Sequence, residues 1–164
     1  MLNFIKLTDL FSTFLCQFRI FAYLCPRIKN IMYMKYQFND GGRSKYFSAN
    51  NVGDCVTRAI AIATSRDYKE VYNELYEFLG YSPRNGIRHN DIKKSIQHFG
   101  GIWFPAMQMG TGCKVHLTEG EIPMSGTIIC RLSGHLCCVR DGVLYDTYDS
   151  SRGGTRCVYG FWKF

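Results

Sequence analysis

The hydrophobic period changes once along this chain, at Gly100-Gly101, and that change restricts the fold more than any other feature. Before it, apolar residues recur at helical spacing. Val56, Ala59, Ile60 and Ala63 fall at i, i+3, i+4 and i+7 behind Asp54, a good helix N-cap. A second helix is expected after Asp67, where Asp67 and Glu70 make a capping-box-like pair. Its core face is Tyr68, Val71, Tyr72, Leu75 and Phe78, and Gly80 ends it. A third runs from about Asn90 through Ile92 and Ile96 to Phe99, with Gly100 as its stop. After Gly101 the period is two, and strands are expected over 102–107, 126–131, 135–140, 143–148 and 156–162. Helices first and strands afterwards predict an α+β domain, with N-terminal helices packed on a C-terminal antiparallel β-sheet.

The 164 residues leave room for one such domain. Residues 1–33 do not share its pattern. They are rich in Phe, Leu and Ile, but Lys6, Asp9, Arg19, Pro26 and Arg27 interrupt the run. No stretch reaches the ~18 apolar residues of a membrane-spanning helix, and no small-residue cleavage site follows. This segment reads as an amphipathic membrane-surface helix, as an extra helix packed on the domain, or as an extension ahead of a true start at Met32 or Met34. The third reading is preferred because the globular pattern begins abruptly at Met34-Lys35-Tyr36, which puts the domain at 34–164.

The net charge of +7 is dispersed, with no run of Lys or Arg and no nucleic-acid module motif. No glycine-rich phosphate loop follows a strand, so neither a specific nucleic acid nor a nucleotide is an expected partner. Eight cysteines at irregular spacing, several inside apolar strand-like runs, read as small hydrophobes rather than a disulfide framework. That predicts a reducing, cytoplasmic compartment. Cys113-x-x-His116 is a weak zinc pair, and the adjacent Cys137 and Cys138 would face opposite ways on a strand. No metal and no cofactor is predicted.

Cys55 stands at the first turn of the first helix, after a tight Gly53-Asp54. Unpaired N–H groups and the helix dipole favour a thiolate there, and the thiolate is the nucleophilic form. On position alone, Cys55 reads equally well as the first buried residue of an apolar helix. The C-terminal half adds partners. Asp141-Gly142 between two apolar runs predicts a two-residue hairpin turn. Pairing Arg140 with Val143 then puts His135, Cys137, Val139, Leu144, Asp146 and Tyr148 on one face, with Asp146 diagonal to His135. Asp146 is therefore nominated to orient His135, and Asp149 is the second candidate. Thiol, imidazole and carboxylate compose a Cys-His-Asp triad. The oxyanion donors expected are the backbone N–H of Cys55 and an upstream amide side chain, Asn50 or Asn51. His89, His98 and His116 read as surface residues, and Trp103, Tyr148 and Trp162 as either groove or core.

The run from Gly53-Asp54-Cys55-Val56-Thr57-Arg58 to Ala63-Thr64, followed by Tyr68-Lys69-Glu70-Val71-Tyr72, resembles a group of small proteins of bacteria and their phages. So do Gly112-Cys113-Lys114-Val115-His116-Leu117 and the pattern His135-Leu136, Asp141-Gly142, Asp146-Thr147, Asp149, Gly154-Thr155-Arg156-Cys157. The resemblance covers residues 34–162. More distantly, the order of Cys, His and Asp is similar to that of papain-like cysteine peptidases, with the bacteriocin-leader-cleaving peptidases as the analogy. The resemblance implies a papain-like fold, with Cys55 as nucleophile, His135 as base and Asp146 as orienting acid. Those peptidases carry a Gln shortly before the Cys, where this chain offers only Asn50 and Asn51. The implied activity is hydrolysis or acyl transfer of peptidase, isopeptidase or deamidase type. Its substrate would be a protein or peptide in a bacterial or phage-infected cytoplasm. The alternative is a non-catalytic binding protein on the same scaffold that engages a host protein.

Overall fold

In the computed structural model, which describes residues 33–48 and 52–164, the helix Cys55–Thr64 (α1) is buried almost all round. Eight of its ten residues are shielded from solvent. The one-sided apolar face expected from its periodicity is therefore too narrow a description. Ala59, Ala61 and Ala63 alternate with Ile60 and Ile62, so every side of the helix is apolar and fits an interior position. One side of α1 packs on Ile129, Leu136, Cys138 and Trp162 of the sheet, and the others meet Val71, Leu75 and Ile96. Those three come from helices Tyr68–Leu79 (α2) and His89–His98 (α3). Asp67 caps α2 by accepting the Lys69 N–H, and Gly80 closes it in the left-handed conformation that glycine tolerates best. Tyr68, Val71 and Leu75 form the buried stripe of α2, whereas Phe78 stays exposed and stacks on His98.

Six strands form one sheet: Lys35–Phe38 (β1), Ile102–Pro105 (β2), Thr127–Leu132 (β3), His135–Arg140 (β4), Val143–Asp146 (β5) and Gly160–Lys163 (β6), in the order β1-β5-β4-β3-β6-β2. The architecture is α+β, but the sheet is mixed rather than antiparallel. β1 joins the edge parallel to β5, with Phe38 opposite Asp146. Its four residues are exposed and lie far from the other strands in sequence, so no periodicity announces them. The hairpin β4–β5 has the expected register, Arg140 opposite Val143 and Val139 opposite Leu144. Asp141 and Gly142 both take positive φ, which suits a tight turn between twisted strands. The expected strands over 102–107 and 156–162 are shorter. Ala106 and Met107 both turn their N–H groups to the Tyr159 carbonyl, and the chain before β6 pairs with a loop instead.

That loop covers the second face of the sheet. Leu117, Ile122 and Val158 pack with Met34 on Ile128, Cys130, Leu132, Cys137, Val139 and Leu144. Cys137 lies in this layer and Cys138 in the helical one, the opposed orientation that strand alternation requires. The loop is pinned by backbone hydrogen bonds from Val158 to Val115 and from Leu117 to Arg156, and by a Cys113–Cys157 disulfide. The disulfide corrects the expectation that the cysteines are all reduced. Two residues 44 apart in sequence come to 5.5 Å between Cα atoms, a juxtaposition that spacing does not reveal. It also removes the ground on which a reducing, cytoplasmic location was expected. Cys113 is thereby withdrawn from the weak zinc pair with His116. No helix among the described residues is long and apolar enough to cross a membrane. The expected extension at 1–33 lies, except for Tyr33, outside the described residues.

Candidate active site

Cys55 opens α1 and is partly exposed, whereas the other free cysteines of the described residues, Cys130, Cys137 and Cys138, are buried. As the first helical residue it lies among N–H groups that have no intrahelical acceptor. Gly53 holds the approach to it. A Cβ there would stand 2.9 Å from the Asn85 carbonyl oxygen, so the chain entering α1 presses on the turn Pro83–Asn85 as only glycine can.

The residue just before Cys55 departs from its expected role. Asp54 sits at the N-cap position, but its side chain makes no capping hydrogen bond. The carboxylate is buried instead. Its Oδ2 meets Arg43 Nε at 2.8 Å and accepts the Tyr68 hydroxyl at 2.6 Å, and its Oδ1 faces Arg58 Nε at 3.4 Å. A carboxylate flanked by two guanidinium groups is held more strongly than by a cap. Burial, then the hydrogen bond to Asp54, pushes the Tyr68 hydroxyl far above its ordinary pKa, which keeps it a donor.

His135 begins β4 and is half-buried, and Asp146 ends β5 and is buried. Their contact is the hydrogen bond His135 Nε2 to Asp146 Oδ2, 2.6 Å. Asp146 Oδ1 accepts the Thr147 N–H at 2.7 Å, which fixes the carboxylate plane. Its backbone carbonyl receives the Asn39 N–H at 2.8 Å and the Tyr36 hydroxyl at 3.4 Å, so β1 and the residue after it hold the Asp146 backbone. The Cys55 side chain is the second polar neighbour that acts on the charge of the same imidazole. With Nε2 taken by Asp146, Nδ1 is the ring nitrogen left for the thiol. Burial of His135 disfavours its charge, but the hydrogen bond to Asp146 and then the Cys55 side chain outweigh it and push the pKa up to about 10. The Tyr148 ring lies over the imidazole at 5.2 Å between centroids, tilted by 36°. A narrow crevice between α1 and the sheet is lined by Cys55, Arg58, Leu136, Tyr145, Asp146 and Asn39.

Cys55, His135 and Asp146 are thus brought together, as the order of motifs and the hairpin register predict. Asp149 is not in this group. Its carboxylate accepts the Ser151 N–H at 3.0 Å and the Ser151 hydroxyl at 2.6 Å, making a turn of its own. Asn50 and Asn51 lie outside the described residues. The remaining histidines have other partners. His89 contacts Arg131, His98 bonds Glu74 at 2.9 Å, and His116 bonds Glu121 at 2.8 Å. Trp162 is fully buried against Trp103 and belongs to the core, while Tyr148 is half exposed at the site. The described residues contain no group of three or more His, Cys, Asp or Glu placed to hold a metal ion. Two contributions escape sequence reasoning: the support of Asp146 from Tyr36 and Asn39, and the buried Arg43–Asp54–Arg58 set. Only the i, i+4 spacing of Asp54 and Arg58 signals the second. No family model, curated protein or solved structure shows a significant match to this chain.

Proposed function

We propose that this protein is a papain-like cysteine hydrolase or acyl-transferase acting on an amide or isopeptide bond of a protein or peptide. The observation that carries the reading is the 2.6 Å bond from His135 to Asp146 with Cys55 on the same imidazole at a helix start. In the reaction, the Cys55 thiolate attacks the carbonyl carbon and forms a C–S bond. The negative charge moves to the carbonyl oxygen, next to the backbone N–H groups of the first turn of α1. The imidazolium of His135 gives its proton to the departing amine as the C–N bond breaks, which leaves a thioester on Cys55. Water, or an acceptor amine in the transfer reaction, then loses a proton to His135 as it attacks the thioester. The thiolate and imidazolium are restored together. Asp146 orients the ring through Nε2. Asn50 and Asn51 are the side chains proposed to add an oxyanion donor, in the place where papain-like peptidases use Gln.

The test is labelling of the native protein with a trace of iodoacetamide, with the modified cysteines mapped by mass spectrometry. Cys55 should react at least about tenfold faster than a free peptide thiol at pH 6, where such a thiol is almost wholly protonated, and His135→Ala should abolish the excess. A Cys55 no more reactive than the buried cysteines would overturn the enzymatic reading. A second reading, a non-catalytic binding protein on the same scaffold, draws on the exposed aromatic edge formed by Tyr33, Tyr36 and Phe38. An inert Cys55 leaves that reading in place.

A further inference from the structure

The turn that leads into His135 borders a second, wider pocket of about 440 Å³, lined by Ser133, Arg152, Thr155, Arg156, Cys157 and Tyr159. Two of its six lining side chains are guanidinium groups and none is acidic. Among the described residues, the Arg152 guanidinium makes no hydrogen bond or ion pair, and Arg156 has only the Ser133 carbonyl, at 2.6 Å. Unpaired arginines are common on surfaces and Arg152 is exposed, but here the backbone that carries them is fixed. Arg152 takes a left-handed φ of 52°, and its carbonyl accepts the Thr155 hydroxyl at 2.8 Å. The Arg156 N–H returns to the Ser151 carbonyl at 3.0 Å, and Cys157 beside it is tied to Cys113. The pocket adjoins the site through Arg156. Arg156 holds the Ser133-Gly134 turn directly before His135, and its positive charge acts on Tyr148, whose ring covers the imidazole.

Resting on the hydrolase reading above, we propose that this pocket is a specificity subsite for a carboxylate on the leaving-group side of the scissile bond. The side follows from the chemistry. His135 must protonate the departing amine, so the amine half of the substrate passes over His135 and Tyr148 toward the pocket. The ligand class follows from the lining, since two forked donors and three hydroxyls suit a planar carboxylate. An acidic side chain and a free C-terminus offer the same group.

Iodoacetyl peptides separate these sources, because the reactive carbon sits at the N-terminal end and the peptide extends toward the leaving-group side. Rates of Cys55 labelling are compared for iodoacetyl-Gly-Glu-amide against iodoacetyl-Gly-Gln-amide, and for iodoacetyl-Gly-Gln with a free carboxylate against its amide, with iodoacetamide as the reference. At least one acidic probe should label about tenfold faster than its neutral twin, and the faster acidic probe identifies the source. Arg152→Gln should remove most of that preference and leave the iodoacetamide rate unchanged. Arg156→Lys, which keeps the charge beside Ser133, should retain part of it. Equal rates for acidic and neutral probes at a Cys55 that still reacts rapidly with iodoacetamide overturn the subsite and spare the hydrolase reading. A preference that survives Arg152→Gln reflects the net charge of +7 and also overturns the subsite. A Cys55 inert to iodoacetamide overturns the hydrolase reading and the subsite with it.

Discussion

His135 is the residue on which several forces converge. Burial opposes its protonation, yet the hydrogen bond to Asp146 and the Cys55 side chain prevail and raise its pKa to about 10. The folded protein therefore holds this proton more tightly than the unfolded chain, where an unperturbed imidazole titrates near ~6.5. The linked stability is fully present below pH ~6.5 and is lost as the pH rises through about 10. Urea denaturation of the wild type and of His135→Gln over pH 6 to 10 should show this. The advantage of the wild type should shrink steadily across that window, and an advantage constant with pH would remove the imidazolium from the folded site. Asp54 shows the reverse economy. As a buried anion between two guanidinium groups, it exchanges a capping role for an ionic one. The result is a first turn of α1 anchored from beneath, directly before the nucleophile.

The elements place these side chains by contacts made at their ends. α1 finishes under β4, where the Arg140 guanidinium donates to the Ile62 and Ala63 carbonyls and to the Ser65 hydroxyl. A cation at a helix C-terminus supplies donors to carbonyls that have no intrahelical partner. The strand that opens with the imidazole therefore also closes the helix that opens with the thiol. At the other side of the sheet, β6 depends on Gly160. A Cβ at that position would collide with the Trp103 ring and the Phe104 carbonyl oxygen of β2. Gly160→Ala should cost about 1–3 kcal/mol by overpacking. The measure is a lower urea midpoint, with Cys55 labelling unaltered in the fraction that remains folded.

In residues 33–48 and 52–164, the sheet has helices on one face and a stapled loop on the other, with an apolar cluster on each side. The loop contributes no strand or helix to the sheet, so covalent closure does what secondary structure does elsewhere. Reduction of Cys113–Cys157 frees a chain separation of 44 residues and should lower the unfolding free energy by about 2–4 kcal/mol. Urea unfolding with and without a phosphine reductant reads the loss. A Cys113–Cys157 linked peptide in a non-reducing digest identifies the bond. A digest without that peptide would return the chain to the reduced state its cysteine spacing suggests.

Much of this arrangement is legible in the sequence because its causes are local. The Asp141-Gly142 turn dictates a two-residue hairpin, and the hairpin sets the register that brings Asp146 near His135. Gly80 and Gly100 mark helix ends through their left-handed φ, and Cys55 follows the non-helical Asp54 at the start of α1. What the tertiary structure alone decided is what depends on segments far apart in the chain. β1 reaches β5 across more than a hundred residues, so its parallel pairing and its support of Asp146 leave no periodic trace. The Cys113–Cys157 bond and the burial of Asp54 between Arg43 and Arg58 are likewise settled by which surfaces meet. Side-chain periodicity records which face of an element is apolar, and not which distant partner will cover it.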